Sequence, residues 1–498
     1  MKYIDYKQLN PFQKFAYNFT KFFKLLPGRV ASFFKAIGRF FVRLFTGIGK
    51  GVANYVTRFI KGDFAVRLSY LIFGFGNLAK GQIIKGILFF LSEVAYVFFM
   101  VFFGWGNLSK FGTLGTEASR EMEVDGFTQT VFGDNSMLIL LYSVVTIAVT
   151  ALVLVIYIAN TKSAAKLQQL KSEGKHIMTF KEEMKDFLDG KFHVTMLSLP
   201  VVLISVFTIM PLVFMILIAF TNFNKQHMPP GTLFTWVGFE NFADLVSVTS
   251  GGKRGVTFIE LTKWTIVWAI FATFTNYILG MIVALMINKK GIKLKALWRT
   301  LFVITIAVPQ FVSLLMMNQM LQVNGAINVL LSEITGTEVA IQFLNSTPLM
   351  ARVTVIVINC WVGIPYTILS ASGILMNIPA DLYESARIDG AGPVKQFTKI
   401  TLPYMLFVTA PSLITQFVGN INNFNVIYLL TGGGPSTEQF YQAGYTDILV
   451  TWLFKLTMSQ QDYDLAAAIG ILVFIVCATL SLIVFNMSKS AKDEEAFS

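Results

Sequence analysis

Eight stretches of this chain run for about 20 residues with almost no charge: 83–103, 137–158, 196–220, 265–287, 301–321, 353–375, 405–430 and 465–484. That is the length a helix needs to cross the hydrocarbon of a bilayer at about 1.5 Å per residue. A segment in lipid must satisfy its own backbone hydrogen bonds, so the runs are read as helices rather than buried strands. The expectation is an all-α membrane protein with eight transmembrane helices. Composition agrees: 54% of the residues are hydrophobic and only 14% are charged, against about 25% charged in soluble domains. The seventh run carries several amides and is the least apolar.

The charges between the runs give an orientation. Residues 1–62 hold twelve Lys/Arg and a single acid, Asp5, and positive charge marks the cytoplasmic side. Segment 160–195 follows with seven Lys and five acids, and a third basic segment carries Lys289, Lys290, Lys293, Lys295 and Arg299. Segment 104–136 has two basic residues and five acids, and 322–349 has only Glu333 and Glu338. The alternation puts both termini, and residues 377–400, in the cytoplasm. The N-terminal segment repeats apolar residues at helical spacing: Phe12, Phe15, Phe19, Phe22 and Phe23, then Phe33, Phe34, Ile37, Phe40, Phe41 and Leu44. Lys21, Lys24, Lys35, Arg39 and Arg43 interleave with them. This reads as an amphipathic helix on an anionic lipid surface; a tail folding on a protein partner is the alternative. No nucleic-acid partner is expected. The glycine-rich stretch Gly74, Gly76, Asn77, Gly81, Gln82, Gly86 allows either close helix approach or a re-entrant turn. The domain reading is a basic interfacial region over 1–80, three spans and their loops over 81–260, a core over 261–487, and a tail over 488–498.

Little in the chain supports chemistry. Cys360 and Cys477 lie inside runs, and His176, His193 and His227 are far apart in sequence. Neither a metal site nor a disulfide framework is expected. No Walker A pattern occurs, because Gly49-Lys50 and Gly252-Lys253 lack its other elements. No catalytic residues are assigned, no cofactor is expected on this chain, and no cleavable signal peptide is recognised at the N-terminus.

Polar residues at membrane depth are costly. In the sixth run Asn359, Gly363 and Tyr366 share one helix face, and Pro365 frees a carbonyl near Trp361. In the seventh, Gln416, Asn420 and Asn423 share a face, and Gln310 follows Pro309 in the fifth. Neutral amides and aromatic rings suit sugar hydroxyls and the apolar sugar face; the bland alternative is helix–helix glue. No intramembrane carboxylate or lysine faces a candidate cavity, which counts against an ion-coupled secondary transporter. A membrane sensor or scaffold docking proteins through 377–400 is a further alternative.

The cytoplasmic segment from Ile378 reads as two short helices, with Pro379 in a first turn, Gly390 and Gly392 at a helix end and Pro393 starting the next. It resembles the coupling signature of importer-type ABC permeases: Glu-Ala-Ala, three residues, Gly, nine residues, Ile-x-Leu-Pro. Here stand Glu384, Ser385, Ala386, then Gly390, then Ile400-Thr401-Leu402-Pro403. Only Ser385 departs, small for small. From near Thr265 onward the chain is similar to the larger membrane subunits of maltose/maltodextrin importers, through Asn359-Cys360-Trp361-Val362-Gly363-Ile364-Pro365-Tyr366, Asp389-Gly390-Ala391-Gly392-Pro393, Asn422-Asn423-Phe424 and Leu430-Thr431-Gly432-Gly433-Gly434-Pro435.

The resemblance implies a type I ABC importer permease core. It also implies a second permease subunit, two ATPase subunits binding ATP and Mg, and docking of loop 377–403 through Glu384, Ser385, Ala386 and Gly390. Sugar contacts are implied at Asn359, Gly363, Tyr366, Asn420 and Asn423. Gln310, Gln416 and Gly419 stand where the family member has Ser, Ser and Phe, so the pocket is expected to prefer a longer or different oligosaccharide. A maltodextrin-type substrate is implied, with galacto-oligosaccharides as the alternative. Segment 221–264 is too short for the extra domain of Gram-negative relatives. That points to the cytoplasmic membrane of a Gram-positive bacterium and a lipid-anchored extracellular binding protein. If glutamate–arginine pairing at i+3 held Glu384 to Arg387, the loop would instead be an ordinary amphipathic one.

Overall fold

The computed structural model describes residues 45–487 except 125–126, 248–251 and 290, with a few more between 35 and 43. The N-terminal apolar stripe from Phe12 to Leu44 and the tail 488–498 lie outside the described residues. The chain forms two compact units: one takes the chain as far as Gly106 together with Val145–Leu203, the other Asn107–Val144 with Ile204 onward.

Among the described residues, seven helical segments are long and apolar enough to cross a membrane. Three of them, α1 (Ile83–Ser109), α2 (Ser136–Ser172) and α3 (Phe192–Ile218), are the first three expected spans. Between α1 and α2 lies an antiparallel hairpin of β1 (Arg120–Val124) and β2 (Phe127–Val131), with Arg120 opposite Val131. In the first unit the glycine-rich stretch proves to be a close approach. A Cβ on Gly74 would lie 2.0 Å from the Gly86 carbonyl oxygen, and one on Gly76 would lie 2.7 Å from Ala164 Cβ. Gly74 N–H donates to Asn160 Oδ1 at 2.9 Å, and Asn160 Nδ2 donates to the Ser69 carbonyl at 2.8 Å. Side chains would push this turn off α2, so glycine is required there.

In the second unit α4 (Lys253–Asn288) runs through the core, burying Leu261, Trp268, Ala269, Ala272 and Ala284 completely. The expected fifth span is broken. It consists of α5 (Lys295–Ala307) and α6 (Gln310–Met320), bent by 88°. Pro309 cannot donate to a helix ladder and holds Val308 extended, at ψ 124°. Apolar periodicity registered the length of this run but not its direction. Then come α7 (Pro348–Met376) and the short α8 (Ala380–Ile388). The seventh span is also interrupted, into α9 (Leu402–Ile421) and α10 (Phe424–Thr431), with Asn422 and Asn423 between them. After α11 (Leu449–Lys455), the described residues end in α12 (Tyr463–Met487).

Two glycines set how closely α4 and α7 pack. A Cβ on Gly280 would lie 2.5 Å from Thr367 Cβ, and one on Gly363 would lie 2.0 Å from Asn276 Nδ2. Asn276 and Gly280 are one turn apart on α4, as are Gly363 and Thr367 on α7, so each helix seats a side chain in the other's glycine notch. At the end of α7 nearest residue 348, Arg352 lies over the Trp264 ring at 4.5 Å and donates to the Tyr445 carbonyl at 2.9 Å, which accounts for an arginine beside an apolar run.

Candidate functional site

The polar residues singled out in the spans gather where the two helix breaks meet the α4–α7 crossing. Asn359 is buried, and Gly363 turns into α4. The notch at Gly363 is therefore filled by Asn276 rather than open. Asn276 Oδ1 and Asn359 Nδ2 are both buried and find no hydrogen-bond partner. Buried amides without partners are rare because each costs about 1–3 kcal/mol. Tyr366, on the same α7 face by spacing, is 53% exposed.

On the seventh span the helix ends before Asn423, so the expected stripe of three amides is divided. Gln416 and Gly419 are exposed on α9, and a Cβ on Gly419 would meet nothing within 4 Å. Asn423 caps α10, accepting from Val426 N–H at 3.4 Å, and its Nδ2 donates to Asn420 Oδ1 at 3.2 Å. Asn420 Nδ2 in turn donates to Thr273 Oγ1 on α4 at 2.9 Å, and the Asn420 carbonyl accepts from Trp268 Nε1 at 3.0 Å. Gln310 opens α6, and its Oε1 accepts from Asn425 Nδ2 at 3.4 Å. A small cavity of about 20 Å³ brings Gln310 and Ser313 beside Trp361 and Tyr366. It has room for about one water molecule and none for a sugar ring.

Asn276, Thr273 and Asn425 join this belt without having been expected there. The signal for Asn276 was present: it is the one Asn, Gln or charged residue in positions 265–287. The rule applied to the other spans, that an amide at membrane depth needs a reason, would have marked it.

The hairpin after α7 sits at the end of the second unit opposite residues 432–462. Gly390 ends α8 with φ 73°, a conformation that favours glycine, and the Ala391 N–H donates to the Ala386 carbonyl at 2.8 Å. Tyr383 Oη lies 2.8 Å from Thr401 Oγ1, pinning α8 to the start of the seventh span. Glu384 and Ser385 face solvent, and Glu384 makes no ion pair with Arg387 or any other described residue. Ile388 and Val394 beside them are 86% and 77% exposed. No group of residues arranged to hold a metal ion occurs among those described.

The geometry is that of a membrane-spanning helical core with two broken spans, neutral amides beside the breaks and an uncovered hairpin at one end. Residues 276–491 match the family described as the binding-protein-dependent transport system inner membrane component. Over 432 residues the chain is 35% identical to the galactooligosaccharides transport system permease protein of Bacillus subtilis (strain 168), covering 85% of this chain and 97% of that protein. It is 33% identical to the maltodextrin transport system permease protein of the same strain, covering 85% and 95%. Against the maltose/maltodextrin transport system permease protein of Escherichia coli (strain K12), identity is 35% over 267 residues, or 53% of this chain and 51% of that one. A chain in the crystal structure of a bacterial alginate ABC transporter with an alginate pentasaccharide-bound periplasmic protein is 24% identical. It covers 61% of this chain and 96% of its own length at a TM-score of 0.50, which shows the shared fold. The chain belongs to the binding-protein-dependent transport family, as a multi-pass permease subunit of a sugar ABC importer with the type I importer fold. Subunits of this kind are not themselves enzymes.

Proposed function

We propose that this permease carries maltodextrin-type oligosaccharides across the cytoplasmic membrane of a Gram-positive bacterium. Support comes from the unpaired amides of Asn276 and Asn359 beside the Asn420–Asn423 belt. Sugar hydroxyls both donate and accept, so they complete such amides, and the absence of charge suits a neutral cargo. Asn359, Tyr366, Asn420, Asn423, Gln310 and Gln416 supply hydrogen bonds, Gly363 seats the Asn276 amide at the site, and Gly419 leaves space. The 20 Å³ cavity corresponds to a closed state, which opens when the two broken spans move. Galacto-oligosaccharides are a second reading, favoured by the 35% identity to a galactooligosaccharides permease.

Coupling runs through loop 377–403. Glu384, Ser385, Ala386 and Gly390 dock on a separate ATPase that binds ATP and Mg, with Ile388 and Val394 supplying apolar contact. The complete importer has a second permease subunit, two ATPases and a lipid-anchored binding protein, with both termini of this chain in the cytoplasm. The test is uptake by proteoliposomes holding the whole importer, comparing radiolabelled maltodextrins with galacto-oligosaccharides. ATP-dependent uptake of the first and not the second is expected. Uptake independent of the ATPase would refute the coupling, and galacto-oligosaccharide uptake alone would establish the second reading.

A further inference from the structure

Residues 432–462, between α10 and α12, fold into an irregular shell that encloses part of a cavity of about 900 Å³. It lies at the end of the second unit opposite the coupling hairpin. Its walls come from separate parts of the chain: Asn345 before α7, Tyr428 on α10, Gln442 in the shell, and Ser459 and Gln460 after α11. The membrane-depth belt does not account for it.

The lining is polar and close to electrically neutral. Lys455 is paired with Asp447 at 2.6 Å, and the Asp447 side chain is wholly buried. Lys253 and Glu438 contribute opposite charges at the wall. What remains is a set of neutral donors and acceptors. The side chains of Asn345, Gln442, Ser459 and Gln460 make no hydrogen bond to any described residue. Tyr428 adds a ring held rigidly between Phe424, stacked at 4.7 Å, and Phe454, edge-on at 5.1 Å. Two backbone positions at this cavity are left-handed without being glycine: Gln442, at φ 54°, and Gln461, at φ 60°, which adjoins Gln460. Such conformations persist where the surrounding fold enforces them, and they concentrate at binding sites.

Rigid aromatic surface with unpaired amides and hydroxyls, and no unbalanced charge, is the chemistry that recognises a neutral carbohydrate. Location adds a second argument. Tyr428 follows Asn423 by five residues on α10, about 7.5 Å along the helix. That separation is short enough for one extended oligosaccharide to span.

We propose that this cavity is a second carbohydrate site, which holds the trailing part of a neutral oligosaccharide while its leading sugars meet Asn423. Its extracellular sidedness and its substrate class rest on the proposed function above. The site selects for chain length: a disaccharide fills one site, and a longer chain fills both.

Gln460→Cys, in a chain also carrying Cys360→Ser and Cys477→Ser, gives a thiol at the wall of the cavity. In the whole importer without binding protein, maltoheptaose should slow labelling of that thiol by a membrane-impermeant maleimide about fivefold or more, and sorbitol should not. Gln442→Ala with Gln460→Ala should raise the KM for maltoheptaose relative to that for maltose by a similar factor. Labelling that neither maltoheptaose nor galactotetraose slows overturns the proposal. So does protection given only by sugar-free binding protein, which makes this a protein-docking face. The two readings fail separately. Lost uptake in Asn420→Ala with no protection at position 460 removes only the second site. Protection at position 460 with normal uptake in Asn420→Ala removes only the membrane-depth site.

Discussion

Gly363→Ala tests the α4–α7 crossing directly. A methyl at 363 would lie 2.0 Å from Asn276 Nδ2 and 2.5 Å from its Cγ. Comfortable carbon contacts lie near 3.5–4.0 Å, so about 1.5 Å of separation must be created. Neither helix yields easily, because one turn away Gly280 already seats Thr367 just as tightly. Overpacking of this kind costs about 1–3 kcal/mol. Asn276→Ala removes the three atoms nearest the new methyl, and it deletes a buried Oδ1 that has no partner. The substitution at 363 should therefore be close to neutral in the Asn276→Ala background, giving a coupling of about 1 kcal/mol or more. The assay is thermal unfolding of the purified importer carrying each single and the double substitution. Wild-type stability in Gly363→Ala, or an equal loss with and without Asn276, would refute the packing argument. Uptake separates the second role of Asn276. If its amide meets sugar, Asn276→Ala lowers uptake without lowering stability.

Glu384→Lys should leave the protein folded and abolish sugar-stimulated ATP hydrolysis, because Glu384 is exposed and has no ion-pair partner among the described residues; normal stimulation with normal uptake would remove it from the coupling surface. Tyr366→Ala and Asn420→Ala should each weaken uptake by about five- to 150-fold, the equivalent of 1–3 kcal/mol for a lost buried hydrogen bond, while the ATPase still co-purifies. Gly419→Phe enters open space and should fold normally while shifting competition uptake toward shorter sugars; an unchanged length preference would show that position 419 does not face the cargo. A peptide of residues 11–45 should become helical on anionic vesicles and release at high salt, since each basic residue near the surface contributes about 1 kcal/mol; a peptide that stays unstructured on vesicles would favour the protein-partner reading.

The spans and the helical hairpin after α7 were legible in the sequence because both depend on local rules. A run of apolar residues long enough for a bilayer has one stable outcome in lipid, and among the described residues seven helical segments and one bent pair cover the eight expected runs. Gly390 and Pro393 punctuate the hairpin by backbone preference alone, and α8 ends at Ile388 as that punctuation requires. Glu384 could be singled out because its spacing to Gly390 and Pro403 is a property of the chain and not of its packing.

The site was legible only in part. Helical spacing put Asn359, Gly363 and Tyr366 on one face, but it could not say what that face meets. In the folded protein Gly363 receives Asn276 from a helix more than eighty positions earlier, while Tyr366 remains exposed. The Asn420–Asn423 stripe assumed an unbroken helix, and the turn at Asn422 divides it. The 88° bend before Gln310 was written in Pro309, yet its angle comes from what α5 and α6 pack against. Sequence by itself determined which segments enter the membrane and which loop presents a coupling signature, since burial in lipid and turn chemistry act over a few residues. Tertiary structure decided which amides are left unpaired, which glycine notches are filled and where open space remains, because those depend on helices brought together from distant parts of the chain.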